Sequence, residues 1–255
     1  MSYLVADLRG RVALVTGASS GIGQAAAVEL GRNGATVIIG FRKNEKGAQE
    51  TLERVQQAGG SGVLGRADVS EASAVTELFS LCQNRHGRVD ILVNNAADPV
   101  AHAEFEDWTV DMFDRVMAIN FRSVLLCCQS ALRLMKPARY GRIINVSSIG
   151  AIAGGSPWTL PYAATKGAVE TFTRGLARAV GRYGITVNAV SPGSIDTPMQ
   201  HAFANPDYIG QMAAETAVGR VGKPQDVAGL ILYLASEASS FITGQVFRVD
   251  GGRKY

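Results

Sequence analysis

A glycine-rich segment between a strand pattern and a helix pattern constrains the fold more than any other feature of the chain. The apolar run Val12–Val15 leads directly into Thr16–Gly23, which reads TGASSGIG. A helical pattern follows at once and ends at Gly34. Glycines in this context allow a tight turn, close approach of the backbone to a pyrophosphate and close packing of helix on strand. The segment therefore predicts a dinucleotide site, with the phosphates on N–H groups at the start of the helix.

The rest of the chain alternates strand and helix patterns. We predict strands at Val12–Val15, Thr36–Ile39, Gly62–Gly65, Ile91–Val93, Arg142–Val146, Thr186–Val190 and Val246–Val249. Helices are predicted at Gly21–Arg32, Asn44–Ala58, Glu71–Arg85, Thr109–Met135, Tyr162–Tyr183 and Pro224–Ala235. Several strands are continuous apolar runs, as expected for strands covered on both faces. The alternation predicts an α/β protein: a single-domain, doubly wound Rossmann fold over residues 1–255, with a seven-stranded parallel sheet flanked by helices on both faces.

Composition agrees with one folded domain and argues against several classes of protein. The chain has 255 residues, of which 47% are hydrophobic and 18% are charged, which is enough for a full core. The net charge of +3 is small and unclustered, so nothing favours nucleic acid as a partner. No apolar run of about 18 residues predicts a membrane span, and no secretory segment precedes Arg9. Three cysteines make no disulfide framework, and we expect a cytoplasmic protein.

A tyrosine and a lysine stand four residues apart, at Tyr162 and Lys166. Positions i and i+4 of a helix share a face, so the ammonium group can lie beside the phenol. The pKa of a free tyrosine is about 10, and a nearby cation lowers it. Lowering it by about 3 units needs roughly 4 kcal/mol, so a second positive charge such as an oxidised nicotinamide would help. Taken alone, the pair is a weak signal, because chance pairs at this spacing are common.

Further motifs follow the glycine segment along the chain. They are Asp68-Val69, Asn94–Ala97, Asn120, Ile144–Ser148, Tyr162 with Lys166, Asn188–Gly193, Thr243–Gln245 and Val249–Gly252. In this order the motifs resemble the short-chain dehydrogenase/reductase family, in its T-G-x-x-x-G-x-G and Y-x-x-x-K subgroup. The resemblance runs from Gly10 to Gly252. The chain departs from the family twice: Ala97 replaces a usual glycine, and the segment between Ser148 and Tyr162 is one residue longer than the commonest spacing.

The resemblance implies a catalytic set of Asn120, Ser148, Tyr162 and Lys166. Tyr162 would exchange a proton with the substrate oxygen, and Ser148 would hydrogen-bond the same oxygen. Lys166 would lower the pKa of Tyr162 and bridge the ribose hydroxyls, and Asn120 would hold a water that links Lys166 to solvent. Ser147 is the alternative serine, but its spacing fits less well, so we expect it to be a structural neighbour.

The resemblance also implies which residues bind a nicotinamide cofactor. They are Gly17, Ser19, Ser20, Gly21, Ile22, Gly23, Arg42, Lys43, Asp68, Val69, Asn95, Ala96, Tyr162, Lys166, Pro192, Gly193, Ile195 and Thr197. Phe41 stands where NAD-specific members place a carboxylate, and the cations Arg42 and Lys43 follow it. We therefore expect NADP(H) to be preferred, with NAD(H) also usable. Ser20 argues against this, because many NADP-dependent relatives have a basic residue at that turn position.

The implied reaction interconverts a carbonyl compound and a secondary alcohol by hydride transfer. Its partners would be a small-molecule substrate and three further copies of the chain, packed through the last strand and the helices at Thr109 and Tyr162. No metal is expected, because the three histidines have no ligand spacing. Residues 194–221 resemble the family's substrate lid, although a partly buried surface helix would give a similar pattern. Trp158 would contact the substrate or merely pack. Cys127 and Cys128 are expected in the core or an interface.

Alternatives to this function are open to test. A 3-oxoacyl-carrier-protein reductase is the nearest, since Arg139 and Arg142 could meet an acidic carrier, although basic residues before a strand are also common in solvated loops. A non-catalytic nucleotide sensor on the same fold should have lost Tyr162 or Lys166, and both are present. A phosphoryl-transfer enzyme should carry G-x-x-x-x-G-K-[ST], which the sequence lacks.

Overall fold

Seven strands form one parallel sheet in the computed structural model, which describes residues 6–202 and 206–253. They are β1 (Val12–Val15), β2 (Thr36–Phe41), β3 (Ser61–Arg66), β4 (Ile91–Asn94), β5 (Gly141–Val146), β6 (Ile185–Pro192) and β7 (Val246–Val249). The order across the sheet is β3-β2-β1-β4-β5-β6-β7, and each neighbouring pair is parallel. The predicted doubly wound fold is confirmed, with strand ends that differ from the prediction by at most two residues.

Helices connect successive strands. They are α1 (Gly21–Arg32), α2 (Glu45–Gln57), α3 (Ala72–His86), α4 (Val110–Met117), α5 (Ser123–Ala138), α6 (Gly150–Ala153), α7 (Leu160–Val180), α8 (Pro198–His201), α9 (Pro206–Ala214) and α10 (Pro224–Ala235). The predicted helix Thr109–Met135 is divided by a π-helical segment at Ala118–Arg122. The short helices α6 and α8 have too few turns to show a period in the sequence, and the prediction did not include them.

Two apolar cores cover the two faces of the sheet. Ala13 and Val15 of β1 belong to one core, and the alternating residues Val12 and Leu14 belong to the other. This is the period of two that a strand imposes on its side chains. The second core contains Cys127 and Cys128, as predicted. Because both faces are covered, the carboxyl ends of the strands are where the sheet presents polar groups to a ligand.

Arg142 does not lie on the surface that was considered for an acidic carrier. Its side chain is 3% exposed, pairs with Glu237 at 2.9 Å and donates to the carbonyl of Ser236 at 3.4 Å. The residue lies in β5, which is buried along its whole length, and the segment after α10 covers it, a long-range contact that the sequence pattern does not show. Among the described residues, no helix is both long and apolar enough to cross a bilayer.

Candidate active site

The candidate site lies at the carboxyl edge of the sheet, where the chain leaves β1 in one direction and β4 in the other. A cavity of about 850 Å³ opens there. The predicted residues that line it are Gly17, Ser19, Ser20, Gly21, Ile22, Asn95, Ala96, Ser148, Tyr162, Lys166, Pro192, Gly193, Ile195 and Thr197. Ligands of doubly wound sheets bind at such a switch of strand direction. The fold thus brings the predicted catalytic tyrosine, lysine and serine to the same cavity as the glycine turn.

The turn after β1 is built for close backbone contacts. Gly17 has φ +64°, and a Cβ there would lie 2.8 Å from the Cα of Ala96. A Cβ on Gly23 would collide with the carbonyl oxygen of Gly17 and the side chain of Asn95. Helix α1 starts after Ser20, which makes no side-chain cap, and its first turn has no acidic residue. Its N-terminal N–H groups and positive dipole end therefore suit the diphosphate of a dinucleotide.

Hydrogen bonds join the loop after β1 to the loop after β4. The Oγ1 of Thr16 accepts the backbone N–H groups of Asn95 and Ala96, both at 3.0 Å. The Nδ2 of Asn95 donates to the carbonyls of Thr16 and Gly17 at 3.0 and 3.1 Å. Asn95 therefore acts on the glycine turn through its side chain. The sequence prediction gave Thr16 no function, although its place between strand and glycine was the available signal.

The structure separates the roles of the two adjacent serines. The hydroxyl of Ser147 is buried and bonds to the carbonyl of Lys166 at 3.2 Å and to Oε1 of Glu170 at 3.0 Å. Ser148 lies in the cavity wall, where its Oγ accepts the backbone N–H of Gly150 at 3.1 Å. An Oγ whose lone pair accepts this bond still has its O–H to donate to a ligand oxygen. The geometry therefore favours Ser148 over Ser147 for contact with a substrate.

Tyr162 and Lys166 stand one turn apart on α7, as their spacing predicts. The Nζ of Lys166 lies 5.4 Å from the centroid of the phenol ring and donates to the carbonyl of Val146 at 2.9 Å. Burial raises the pKa of Tyr162 to about 12, although a hydrogen bond with Ser148 opposes the shift. Burial also lowers the pKa of Lys166 to about 8. The expected lowering of the phenol pKa by lysine is therefore not achieved by the protein's own groups, because desolvation outweighs the attraction.

Asn120 lies in the π-helical segment and is fully buried. Its Nδ2 donates to the carbonyls of Asp98 and Val116 at 2.7 and 2.8 Å, and its Oδ1 accepts the N–H of Asp98 at 3.0 Å. Both amide hydrogens are thus committed, and a water bound to this residue would have to donate to a carbonyl oxygen. Single π turns often occur at functional sites.

Six predicted residues do not line the cavity: Asn120, Gly23, Arg42, Lys43, Asp68 and Val69. Arg42 pairs with Asp68 at 3.6 Å and with Asp98 at 3.8 Å. The pKa of Asp68 is lowered: hydrogen bonds from Ser70 and the charge of Arg42 together outweigh its partial burial. Asp98 was not among the predicted site residues. Its position four residues after the end of β4, at the ligand edge, was the signal that could have indicated it.

The predicted lid contributes part of the cavity wall. Met199, Gln200 and Met212 line the cavity, together with Glu215. Phe203 and the side chain of Tyr208, which the prediction included, lie outside the described residues. Trp158 is 39% exposed, and its Nε1 donates to Glu104 at 2.8 Å. The cavity wall as described includes the neighbouring Thr159 and does not include Trp158.

Comparisons with known proteins agree with this architecture. The family model described as enoyl-(acyl carrier protein) reductase matches residues 17–254. General stress protein 39 of Bacillus subtilis is 38% identical over 251 residues, covering 98% of this chain and 87% of the relative. 3beta-Hydroxysteroid dehydrogenase 1 of Eggerthella lenta is 37% identical over 254 residues, covering 96% and 94%. The crystal structure of levodione reductase superposes with a TM-score of 0.91 at 30% identity, covering 96% and 98%.

The chain belongs to the short-chain dehydrogenase/reductase family, as the order of its motifs predicted. Members of this family are oxidoreductases that generally use nicotinamide cofactors. The residues present here fit such a cofactor, because the uncapped N–H groups at the start of α1 lie at the same cavity as Tyr162.

The buried ammonium of Lys166 makes a prediction about the protein without cofactor. Its pKa is about 8 in the folded state and about 10.4 when unfolded, so between these values the unfolded chain holds more protons. Stability should therefore rise with pH across this window. Relative to Lys166→Met, the wild-type free energy of unfolding should increase by about 2–3 kcal/mol from pH 8 to pH 10.5. Urea unfolding at fixed protein concentration measures the difference.

Two controls isolate this effect. Tyr162 has a pKa of about 10 in the unfolded chain and about 12 in the fold, so it lowers stability at the upper end of the window, but it is present in both proteins and its effect cancels in the difference. Lys46→Met removes a lysine from an exposed position on α2 and should leave the pH dependence unchanged. Parallel pH profiles for the wild type and Lys166→Met would show that the ammonium is not desolvated in the fold.

Proposed function

We propose that the protein is an NAD(P)(H)-dependent oxidoreductase that interconverts a carbonyl group and a secondary alcohol, with Tyr162 as general acid and base. The observation that carries this proposal is the meeting of Tyr162, Ser148 and Lys166 in one cavity with the glycine turn. A nucleotide sensor would have no need for a buried lysine one helical turn from a phenol at this place. The cofactor supplies or accepts the hydride when it is bound.

In the reductive direction, Tyr162 donates its phenolic proton to the carbonyl oxygen of the substrate. The raised pKa of Tyr162 keeps the phenol protonated at neutral pH, so the protein's own groups hold the acid in its donor form. The hydroxyl of Ser148 donates a hydrogen bond to the same oxygen, where negative charge develops. In the oxidative direction the phenolate takes the alcohol proton, and a cationic Lys166 and an oxidised nicotinamide both favour that form.

Lys166 and Asn120 complete the proposed set. Lys166, fixed by its bond to the carbonyl of Val146, would contact the ribose hydroxyls and return protons to Tyr162. Asn120 would hold a water on the path from Lys166 to solvent. That water would donate a hydrogen bond to a carbonyl oxygen of Asn120, because both hydrogens of the side-chain amide are already used. Residues 194–221 would close over the substrate as a lid, because Met199, Gln200 and Met212 of this segment already form part of the cavity wall.

Tyr162→Phe tests the proposed acid and base, since it removes only the hydroxyl. We expect kcat to fall by about 10²–10⁴-fold or more, while cofactor binding is largely kept. A substrate is first found by following NADPH oxidation with panels of ketones, sugars and acyl thioesters. Tyr183→Phe, on a 3₁₀ turn after α7, is the matched control and should retain full activity. Near-normal turnover of Tyr162→Phe would remove the tyrosine from the mechanism.

We also propose that NADP(H) is preferred over NAD(H). Arg42 follows β2, the strand whose end meets the adenosine ribose, and no carboxylate stands at Phe41 to repel a 2′-phosphate. The side chain of Phe41 is buried, so Arg42 and the exposed Lys43 are the groups that can reach the phosphate. The two carboxylates paired with Arg42 act against this preference, and NAD(H) should remain a usable cofactor.

Kinetics with both cofactors test the preference. A charge-assisted bond to the 2′-phosphate contributes about 1.5–3 kcal/mol, so kcat/KM should favour NADPH by about 10- to 150-fold. Arg42→Gln should reduce this ratio by about tenfold or more, mainly through a weaker response to NADPH. Arg54→Gln, on the last turn of α2, changes net charge equally and should not alter the ratio. An equal or better kcat/KM with NADH in the unmodified protein would contradict the proposal.

Assembly into a homotetramer is proposed from the apolar side chains at two separate surfaces. Phe105, Val110 and Phe113 are exposed on and before α4, and Phe241 is fully exposed in the loop before β7. Large apolar side chains grouped in this way favour contact with another protein surface. Two different self-complementary surfaces on one chain generate a closed tetramer.

Variants at each surface test the assembly. The wild type should sediment at about four times 26.9 kDa. Phe113→Glu or Phe241→Glu alone should leave dimers held by the remaining surface, and the double variant should give monomers. A stable and active wild-type monomer at working concentration would refute the tetramer.

A further inference from the structure

Three charged side chains converge where strands β2, β3 and β4 end. Arg42 follows β2, Asp68 follows β3 and Asp98 lies in the loop after β4. The Nη1 of Arg42 is 3.6 Å from Oδ2 of Asp68, and its Nη2 is 3.8 Å from Oδ2 of Asp98. Because β1 separates β2 from β4, the second ion pair spans about 10 Å of sheet above the glycine turn. Arg42 is thus held between carboxylates from both sides.

Asp98 is fixed in place before any ligand arrives. Its backbone N–H and carbonyl both bond to the side chain of Asn120, at 3.0 and 2.7 Å. Its Oδ1 accepts the N–H of Val100 at 2.8 Å, which leaves Oδ2 directed at Arg42. The position of this carboxylate therefore follows from the buried π-helical segment, and does not depend on a flexible surface loop.

The turn that follows Asp98 is strained, which also indicates a constrained position. Val100 has φ +69°, and the N–H of Ala101 bonds to the carbonyl of Pro99 at 2.8 Å. This is a γ-turn with a left-handed central residue, a conformation that is rare and costly for a β-branched side chain. Such strain persists only where the surroundings impose it, and the bonds from Asn120 and Asp98 impose it here.

Arg42 cannot serve Asp98 and a phosphate equally well. The guanidinium carries one positive charge and binds oxyanions best through both terminal nitrogens at once. Nη1 and Nη2 are each directed at a different carboxylate, so a phosphate must displace at least one of them. The side chains of Arg42 and Asp98 are 34% and 37% exposed, and ion pairs of this exposure exchange partners readily.

We propose that Asp98 is a specificity-determining residue for the cofactor, which competes with a 2′-phosphate for Arg42 and so limits the preference for NADP(H). This inference rests on the proposed cofactor site. In physical terms, a carboxylate in the loop after β4 changes how strongly Arg42, at the end of β2, binds a 2′-phosphate. Asp68 shares Arg42, but Asp98 reaches it from across the glycine turn.

Calorimetric binding of nucleotide fragments tests the proposal without any turnover. The probes are 2′,5′-ADP, which carries the 2′-phosphate, and 5′-AMP, which lacks it. Asp98→Asn keeps the size of the side chain and an oxygen for the N–H of Val100. We expect the ratio of Kd for 5′-AMP to Kd for 2′,5′-ADP to rise about 5- to 20-fold, with little change for 5′-AMP. The ratio of Kd values for NADH and NADPH should move in the same direction.

Three further variants make the result specific. Asp98→Ser repeats the charge removal with a smaller acceptor, in case the asparagine variant is poorly folded. Glu71→Gln removes a carboxylate that pairs with Arg122 at 3.7 Å, a similar distance, and should leave the ratio unchanged. In an Arg42→Gln background, Asp98→Asn should shift the ratio less than about twofold, because the competition needs the arginine.

Several results would overturn the proposal. They are an unchanged ratio in both Asp98 variants, an equal change for the two fragments, and a shift that persists without Arg42. The outcome is independent of the reaction, since fragment binding requires no hydride transfer. If the protein preferred NADH overall, Asp98→Asn would still have to raise the ratio of Kd for 5′-AMP to Kd for 2′,5′-ADP. Conversely, an unmoved ratio would leave the role of Tyr162 untouched.

Discussion

The site depends on the hydrogen bonds that hold the loop after β1 against the loop after β4. Thr16 and Asn95 make these bonds in both directions, and the contact is so close that Gly17 and Gly23 have no room for a Cβ. The contact fixes the glycine turn that leads into the uncapped start of α1, and it sets the path of the chain from β4 towards Asp98. Through Asp98, the same loop reaches the amide of Asn120 in the π-helical segment. The glycine turn, proposed to bind the cofactor, and Asn120, proposed to act in catalysis, therefore belong to one connected network of hydrogen bonds.

Burial decides the electrostatics at the catalytic end of this network. The same desolvation raises the pKa of Tyr162 to about 12 and lowers the pKa of Lys166 to about 8, so near neutral pH the phenol keeps its proton while Lys166 is still mainly cationic. A proton donor near neutral pH is the natural consequence. In the proposed mechanism, positive charge that enters the cavity makes the phenolate accessible, which would link the acid–base state of Tyr162 to the charge of the bound cofactor. The charge of Lys166 alone does not bring the phenol pKa down, because burial still raises that pKa to about 12.

Charges at the cofactor end follow a different rule, because they are partly solvated. Arg42 pairs with Asp68 and Asp98 at partly exposed positions, and in our proposal discrimination between cofactors rests on competition between these weak pairs and a 2′-phosphate. Removal of one carboxylate should therefore change the proposed preference between NADP(H) and NAD(H), whereas substitution of the buried Tyr162 or Lys166 would disturb the packing around it. Outside the cavity wall, the bond between Glu104 and Trp158 joins the segment after β4 to the loop before α7.

Sequence alone determined the parts of the protein that local periodicity and spacing encode. The seven strands, the long helices, the glycine turn and the shared helix face of Tyr162 and Lys166 each follow from a few neighbouring residues. Tertiary structure alone decided the burial of Arg142, the use of the Asn120 amide, the place of Trp158 outside the cavity wall and the pairing of Arg42 with Asp98. These contacts join residues separated by about twenty to a hundred positions in the chain, and the pKa values of Tyr162 and Lys166 depend on desolvation by such distant neighbours. No local pattern carries that information, because it arises only when the carboxyl ends of parallel strands are brought to one edge of the sheet.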